Sequence, residues 1–355
     1  MDMPGSGGQE GGALSVIVPG LNCTATLPAC LAAIAASTLP IDQLLFFDDG
    51  STDGSGTMAQ AAGAQVIRND GAPLGPGIAR NRAAAMATGR LIVFVDADVA
   101  VQPDAIGRLV EAIDSDGDKA GIVAAFGSYD DRPPARNLAS LYMNLRHHAV
   151  HQQGPFWATT FWAGLGAVRR QAFQDAGGFA KQYGRPSIED IELGTRLVGK
   201  GGRIRLVAEA QATHHKRWSL MQLWRTDIFQ RAIPWSRLLA DRNIAATDLN
   251  AAAAERRAAV LAHLAGATWI IALAWPLCAV AAAVVSAAYL VQIRPLLAIM
   301  RRRVPPHLLP GIVALHWTYH IYASQIFGWT LIAARWTSVR RIFTGPRNGA
   351  ERPMP

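Results

Sequence analysis

Short apolar runs and amphipathic segments take turns along the first third of the chain. Residues 14–19 (Leu-Ser-Val-Ile-Val-Pro) and 91–95 (Leu-Ile-Val-Phe-Val) are nearly unbroken apolar runs rich in β-branched residues, the pattern of strands buried on both faces. Residues 44–47 and 65–68 predict two more strands. Residues 26–37 carry an apolar stripe at Leu27, Leu31 and Ile34 behind Thr26 as N-cap and Pro28 in the first turn, which predicts a helix. Residues 78–88 predict a second helix. Strand, helix, strand, helix at this spacing means right-handed βαβ units and a parallel sheet. Further along, a strand is expected at 203–207. A helix is expected from Ser187 as cap, with Ile191 and Leu197 on its apolar side.

The pattern changes after Lys216. Leu220, Trp224 and Ile228 recur every four residues, while Arg217, Arg225, Asp227, Arg231 and Arg237 lie mostly elsewhere and Trp218 and Trp235 flank the stripe. Residues 217–257 therefore predict amphipathic interfacial helices, with a helix packed on the preceding domain as the alternative. Residues 258–293 are almost uninterrupted apolar sequence. One straight helix of that length would be about 54 Å long, against a hydrocarbon core of about 30 Å. Pro276 at the middle favours a hairpin of two short spans over one tilted span. Arg294, Arg301, Arg302 and Arg303 then mark a cytoplasmic loop. Residues 308–334 are apolar but hold His316, Tyr319, His320, Tyr322 and Gln325, so this segment either spans or is re-entrant, and it could guide a lipid. The expected organisation is a disordered tail at 1–12, an α/β domain at 13–216, the interfacial helices, a membrane region at 258–335 and a basic tail at 336–355.

Composition agrees with a membrane protein: half the residues are hydrophobic and only 17% are charged, too apolar for a wholly soluble chain. The net charge of +8 suits anionic ligands such as nucleotide phosphates and acidic headgroups. No nucleic-acid motif accompanies it. Three cysteines, Cys23, Cys30 and Cys278, form no disulfide framework and suit reduced thiols in the cytosol. His147 and His151 could share a helix face beside His148, but neither Cys nor a carboxylate completes a zinc set nearby. A solvated or lipid-facing loop is expected there. Gly75-Pro76-Gly77 imitates the start of a dinucleotide fingerprint, but Arg80 stands at its third glycine position.

The chemistry gathers at strand ends. Asp96 and Asp98 follow the 91–95 run and, one residue apart, point to the same side. The pair fits either an ordinary Asp-rich turn after a strand or two carboxylates in a crevice that call for a cation, ordinarily a divalent metal that also holds substrate phosphates. Asp49 and Asp53, in the polar turn after the second strand, reach the same sheet edge. There they can accept from a ribose diol or a base N–H, and Arg80 can face the base or diphosphate. Gly164 and Gly166 let the backbone approach a sugar ring, and Trp162 fits either a ring-stacking platform or an aromatic plug. Glu189-Asp190, at a helix start, fits either a capping box or a general base.

Four ordered motifs carry a resemblance: Val-Ile-Val-Pro-Gly-Leu-Asn, Asp-Asp-Gly-Ser-Thr-Asp-Gly-Ser, Gly-Ile-Ala-Arg-Asn-Arg-Ala-Ala-Ala and Phe-Val-Asp-Ala-Asp-Val. Over residues 14–217 the chain resembles the family 2 glycosyltransferases of the GT-A fold, an α/β fold with a Rossmann-like mixed sheet. The resemblance implies inverting transfer from a nucleotide-diphosphate sugar, UDP-sugar favoured. It implies a donor site at Pro19, Asn22, Asp49, Asp53, Arg80 and Asp96, with Asp49 on the base. It implies Mg²⁺ or Mn²⁺ held by Asp98 and Asp96, with His215 near the donor phosphates and Lys216 beside it. Asp190 is then the general base, with Glu189 next to it, and Trp162 and Gly164 lie on the acceptor side. Processive members carry a Gln-x-x-Arg-Trp motif, and here Pro234 stands where that Arg would be, before Trp235. Single-sugar transfer to a membrane lipid or lipid-linked glycan is therefore expected, in a bacterial-type inner membrane with the catalytic domain cytoplasmic. The rival readings are a processive polysaccharide synthase and a catalytically silent nucleotide-sugar sensor or scaffold.

Overall fold

The computed structural model describes residues 14–115, 121–242 and 253–344. The expected N-terminal tail, the end of the chain with Arg347, and residues 243–252 lie outside them. The chain divides into two compact units. The first is Met1–Leu220 with Asp248–Asn250 and Pro295–Leu309; the second is Met221–Thr247, Ala251–Arg294 and Pro310–Pro355.

The first unit is built on one mixed sheet of nine strands. Strands β1 (Leu14–Gly20), β2 (Gln43–Asp48), β3 (Gln65–Arg68) and β4 (Leu91–Val95) run parallel in the order β3-β2-β1-β4. All five side chains of β4 are buried, because helices cover both faces of the sheet. On one face lie α1 (Leu27–Ala35), α2 (Ser55–Ala61) and α4 (Ala105–Asp114). On the other lie α3 (Pro76–Ala84), α6 (Arg170–Asp175) and α7 (Glu189–Gly199). Leu27, Leu31 and Ile34 bury themselves as their spacing predicts. Beyond β4 the direction changes. β8 (Leu165–Arg169) is antiparallel to β4, β6 (Ile122–Tyr129) is antiparallel to β8, and β9 (Arg203–His214) is parallel to β6. Short strands β5 (Val99–Val101) and β7 (Trp157–Ala158) both pair with β9. The mixed sheet under helices is the GT-A architecture the motifs imply.

β9 runs well past the expected 203–207. Its second half, Ala-Glu-Ala-Gln-Ala-Thr-His, alternates buried Ala and His with more exposed polar residues, a strand period carried by weak strand formers. Helix α5 (Leu138–Gln152) packs on β6 and corrects the loop expected around His147. His148 Nδ1 lies 2.7 Å from the Tyr129 carbonyl and His151 Nδ1 lies 3.0 Å from that of Gly127. Burial lowers the pKa of His151 to about 4, so it is a neutral core residue tied to the sheet.

Trp218 is also corrected. It is buried, its N–H donates to Ser140 Oγ and its carbonyl accepts from Asn137, so it belongs to the first unit rather than to a headgroup layer. Helix α12 (Arg294–Arg303) carries the expected basic cluster. Its Arg303 pairs with Asp131 at 2.6 Å within the same unit.

The second unit is helical. Helix α8 (Leu220–Arg225) leads through a π-helical turn, Thr226–Ala232, into α9 (Ile233–Arg242). Met221, Trp224 and Phe229 are exposed, while Asp227 is buried between Tyr322 Oη at 2.9 Å and Arg231 at 3.3 Å. Asp227 therefore does not lie on the solvated face that its spacing suggests. Helices α10 (Ala253–Ala274) and α11 (Cys278–Gln292) are separated at Pro276 and pair antiparallel, with Gln292 Nε2 reaching the Ala254 carbonyl and Trp269 reaching Ser286. Helix α10 is long and apolar enough to cross a membrane. Helix α13 (Leu309–Thr344) is unbroken for 36 residues, so it makes no re-entrant reversal and continues into the expected basic tail.

Candidate active site

Because β1, β2 and β4 are parallel, their carboxyl ends bring Gly20, Asp48 and Asp96 to one edge of the sheet. At this edge Arg80, from the middle of α3, forms a bridge. Its Nη2 lies 2.5 Å from Asp96 Oδ1 and its Nη1 lies 3.2 Å from Glu189 Oε1, with the guanidinium 5.4 Å from the Phe179 ring centre. The side chain is 5% exposed, and both of its terminal nitrogens are engaged by carboxylates. Burial weakens its charge, but Asp96, Glu189 and Asp190 more than restore it, and its pKa rises. Arg80 acts as a positioning residue that joins the Asp-x-Asp strand end to the Glu-Asp helix.

Asp190 stands beside that bridge at the start of α7. Its Oδ2 accepts the Ala163 N–H at 3.2 Å and its Oδ1 that of Ile191 at 2.8 Å. The adjacent Gly164 carbonyl accepts the Asp96 N–H at 3.2 Å, so one dipeptide fixes both acids. Burial and the neighbouring Glu189 charge raise the Asp190 pKa to about 7, against the pull of Arg80 and the two N–H groups. That value suits proton transfer at neutral pH. Ser187 is not the helix cap: Ile188 holds that position, and Glu189 Oε2 accepts the Ser187 N–H at 2.8 Å.

The register of β5 on β9 sets His214 opposite Val99 and its imidazole against Asp98. Nε2 lies 3.4 Å from Asp98 Oδ2, and Nδ1 lies 2.5 Å from Asn144 Oδ1. Its ring stacks on Tyr129 with centroids 4.3 Å apart. His215 meets Asp98 through its backbone, donating its N–H to the Asp98 carbonyl at 2.8 Å. Burial raises the Asp96 pKa despite Arg80. Burial also works to raise Asp98, but the hydrogen bond and charge of His214 and the charge of Lys216 bring it below the ordinary range.

Asp96, Glu189 and Asp190 thus gather around the buried Arg80 guanidinium, and Asp98 couples to Asp96 through its charge. The excess of carboxylate, the hard oxygen donors and an imidazole whose second nitrogen is held by Asn144 together fit a divalent cation such as Mg²⁺ or Mn²⁺. Asp98 and His214, 3.4 Å apart, would hold it, with the Asp96 charge beside them. Sequence reasoning weighted His215, because neighbouring histidines at a strand end cannot be told apart until the register is known.

The remaining donor-side residues shape loops. Asp49 is buried and accepts from Leu74 N–H, Gly75 N–H and Asn69 Nδ2, all at 2.9–3.0 Å, so it anchors the 69–75 loop. Asp53 accepts from Thr24 and Ser55 through both oxygens, which pushes its pKa well below the usual carboxylate range. Asn22, at φ 50°, accepts the Thr52 N–H at 2.9 Å, and Pro19 pairs with Phe47 inside the sheet. These residues bind the β1 and β2 loops to each other.

Trp162 lies in an aromatic group with Tyr129, His147 and His151, its ring 4.8–5.2 Å from theirs. A Cβ at Gly164 would stand 2.5 Å from the Trp162 ring. The missing side chain makes room for this indole. Tyr129 and Asn144 went unremarked in the sequence, since only the β6–β9 pairing and α5 packing carry them to His214.

The model of glycosyl transferase family 2 matches residues 15–177. The chain is 30% identical over 223 residues to an N-acetylglucosaminyl-diphospho-decaprenol L-rhamnosyltransferase of Mycobacterium tuberculosis, covering 52% of this chain and 70% of that protein. It is 29% identical over 207 residues to an uncharacterized glycosyltransferase of Mycobacterium bovis, covering 55% and 83% respectively. Among solved structures, a mannosyltransferase from Pyrobaculum calidifontis in complex with GDP-Man and Mn²⁺ superposes with a TM-score of 0.48 at 17% identity, covering 92% of this chain and 87% of that one.

Proposed function

The chain belongs to glycosyl transferase family 2, and on that premise we propose an inverting enzyme that passes a sugar from a nucleoside-diphosphate sugar, UDP-sugar first, to a lipid or lipid-linked glycan at a membrane. The observation that carries this reading is the buried Arg80 bridge, which ties Asp96 of the Asp-x-Asp pair to Glu189, the neighbour of Asp190. Asp190, with a pKa of about 7, takes the proton of the acceptor hydroxyl. The acceptor oxygen bonds to C1 of the sugar from the face opposite the diphosphate, the C1–O bond to phosphate breaks, and the configuration inverts. Arg80 keeps Asp96 and Glu189 in place through the reaction. Asp98 and His214, with Asp96 beside them, would hold a divalent cation, which would supply charge neutralisation for the departing diphosphate.

The membrane-held acceptor draws on two supports. Leu273, Trp275, Leu277 and Val280 at the α10–α11 turn are 66–91% exposed, an apolar surface suited to lipid. The rhamnosyltransferase relative is named for a diphospho-decaprenol acceptor. Arg303 pairs with Asp131, so the basic helix stays with the catalytic unit, and its positive charge supports a cytoplasmic side for both under the positive-inside rule.

The test is nucleoside-diphosphate release by the detergent-purified full chain from a panel of UDP- and GDP-sugars. It is run with Mg²⁺ or Mn²⁺ and again with EDTA, with and without extracted membrane lipid. Lipid-stimulated release abolished by EDTA is expected. Release that ignores EDTA removes the cation from the reading. Donor binding without release in any lipid removes catalysis.

A further inference from the structure

The helical unit holds a second cluster of metal-ligating side chains, remote in sequence from every glycosyltransferase motif. Glu255 opens α10, and His316 and His320 stand one turn apart on α13. One ligand atom from each of these three lies within 4.8 Å of the others, the only such group among the described residues. Both imidazoles are 3–4% exposed, and the Glu255 side chain is 32% exposed, so the route from solvent passes the carboxylate. His320 Nε2 stands 3.3 Å from Glu255 Oε2. Its other nitrogen, Nδ1, stands 3.1 Å from the hydroxyl of buried Tyr289 on α11. The His316 ring centre is 4.5 Å from that of His320.

We infer that Glu255, His316 and His320 form a binding site for a borderline divalent transition metal, zinc first, with Tyr289 orienting His320 from behind. Two histidines four apart on one helix face converge on a shared ion. Tetrahedral ligands about 2.0–2.1 Å from zinc stand about 3.3 Å from one another, and the His320–Glu255 pair already has that separation. With Nδ1–H donating to Tyr289, Nε2 turns a lone pair toward a carboxylate oxygen. Two acceptors in that arrangement need a cation between them, and a ligating histidine characteristically donates its other N–H in this way. A simple Tyr–His–Glu hydrogen-bond chain would account for His320, but the same corner also brings a ligand nitrogen of the buried His316 within 4.8 Å of the other two donors. Imidazole donors select zinc over magnesium, so this site differs in kind from the carboxylate-rich crevice. Three protein donors leave the fourth position to water. The ion ties α10 to α13 and, through Tyr289, steadies α11.

The test uses the detergent-purified full chain carrying Asp98→Ala, so that the catalytic crevice contributes no metal signal. The protein is stripped with chelator and titrated with Co²⁺. One Co²⁺ per chain is expected, with the intense visible absorption of a low-coordinate site, displaced by Zn²⁺ and not by Mg²⁺. His316→Gln and His320→Gln abolish the band, and Tyr289→Phe weakens binding by about 10–100-fold. Circular dichroism checks that each variant keeps its helices. A folded Asp98→Ala chain that binds no Co²⁺, or histidine variants of it that bind Co²⁺ as before, overturns the assignment. The readout needs neither donor nor acceptor, so it stands or falls independently of the proposed transfer reaction.

Discussion

Asp190 is the residue whose ionisation sets the pace of the proposed reaction. A base must be deprotonated, so kcat/KM climbs with pH and levels off above about 7. Asp190→Asn should lower kcat by about 10²–10⁴-fold, leave donor affinity intact and erase the acid limb. The same group makes a stability prediction. Its folded pKa lies above the ordinary value, so the native state holds the proton longer than the unfolded chain. Its contribution is fully present in acid and is lost as pH rises through about 7. Asp190→Asn stays neutral, so its melting temperature should gain on the natural chain as pH rises, in calorimetry across that window. Gly164 gives a second residue-scale test. A methyl group there meets the Trp162 ring at 2.5 Å, so Gly164→Ala should cost about 1–3 kcal/mol in denaturant unfolding. Gly199, with nothing within 4 Å of its would-be Cβ, is the control, and Gly199→Ala should be neutral or slightly stabilising.

Elements meet at Arg80. It joins α3 to the end of β4 and to the start of α7, and so ties Asp96 to Glu189. Arg80→Met leaves Glu189 buried without its cation, a loss of about 3–5 kcal/mol. The double change Arg80→Met with Glu189→Met should recover part of it in denaturant unfolding. Failure to recover would show that the bridge is not the source. Arg80→Lys, with one ammonium in place of a two-pronged guanidinium, should keep more of the fold than of the activity. The π-helical turn before α9 works the same way on a smaller scale. Asp227 is buried within the helical unit while Met221 and Phe229 remain exposed, and the Tyr322 hydroxyl and Arg231 supply its partners.

For the whole molecule the question is where it resides. Helix α10 meets the length and apolarity of a membrane span, and α11 pairs with it. The full chain should stay in the membrane pellet through a high-pH carbonate wash and need detergent for release. Recovery in the wash would limit the helical unit to surface attachment. Such a location would keep a lipid acceptor and a cytosolic donor within reach of one another.

Local pattern settled a great deal by itself. The runs at 14–19 and 91–95 had to be interior strands, because no other element buries so many β-branched residues in so few positions. The spacing of Asp96 and Asp98 put both on one side, and four ordered motifs gave the family. Residues far apart in sequence were decided only by the tertiary fold. The Arg80 bridge was among them, because Glu189 lies 109 positions away and periodicity carries no distance of that kind. His214 rather than His215 brings its ring to Asp98, because a strand sends successive side chains to opposite faces and register alone says which face is which. Glu255, His316 and His320 meet for the same reason: each helix fixes its own face, and packing chooses the faces that meet.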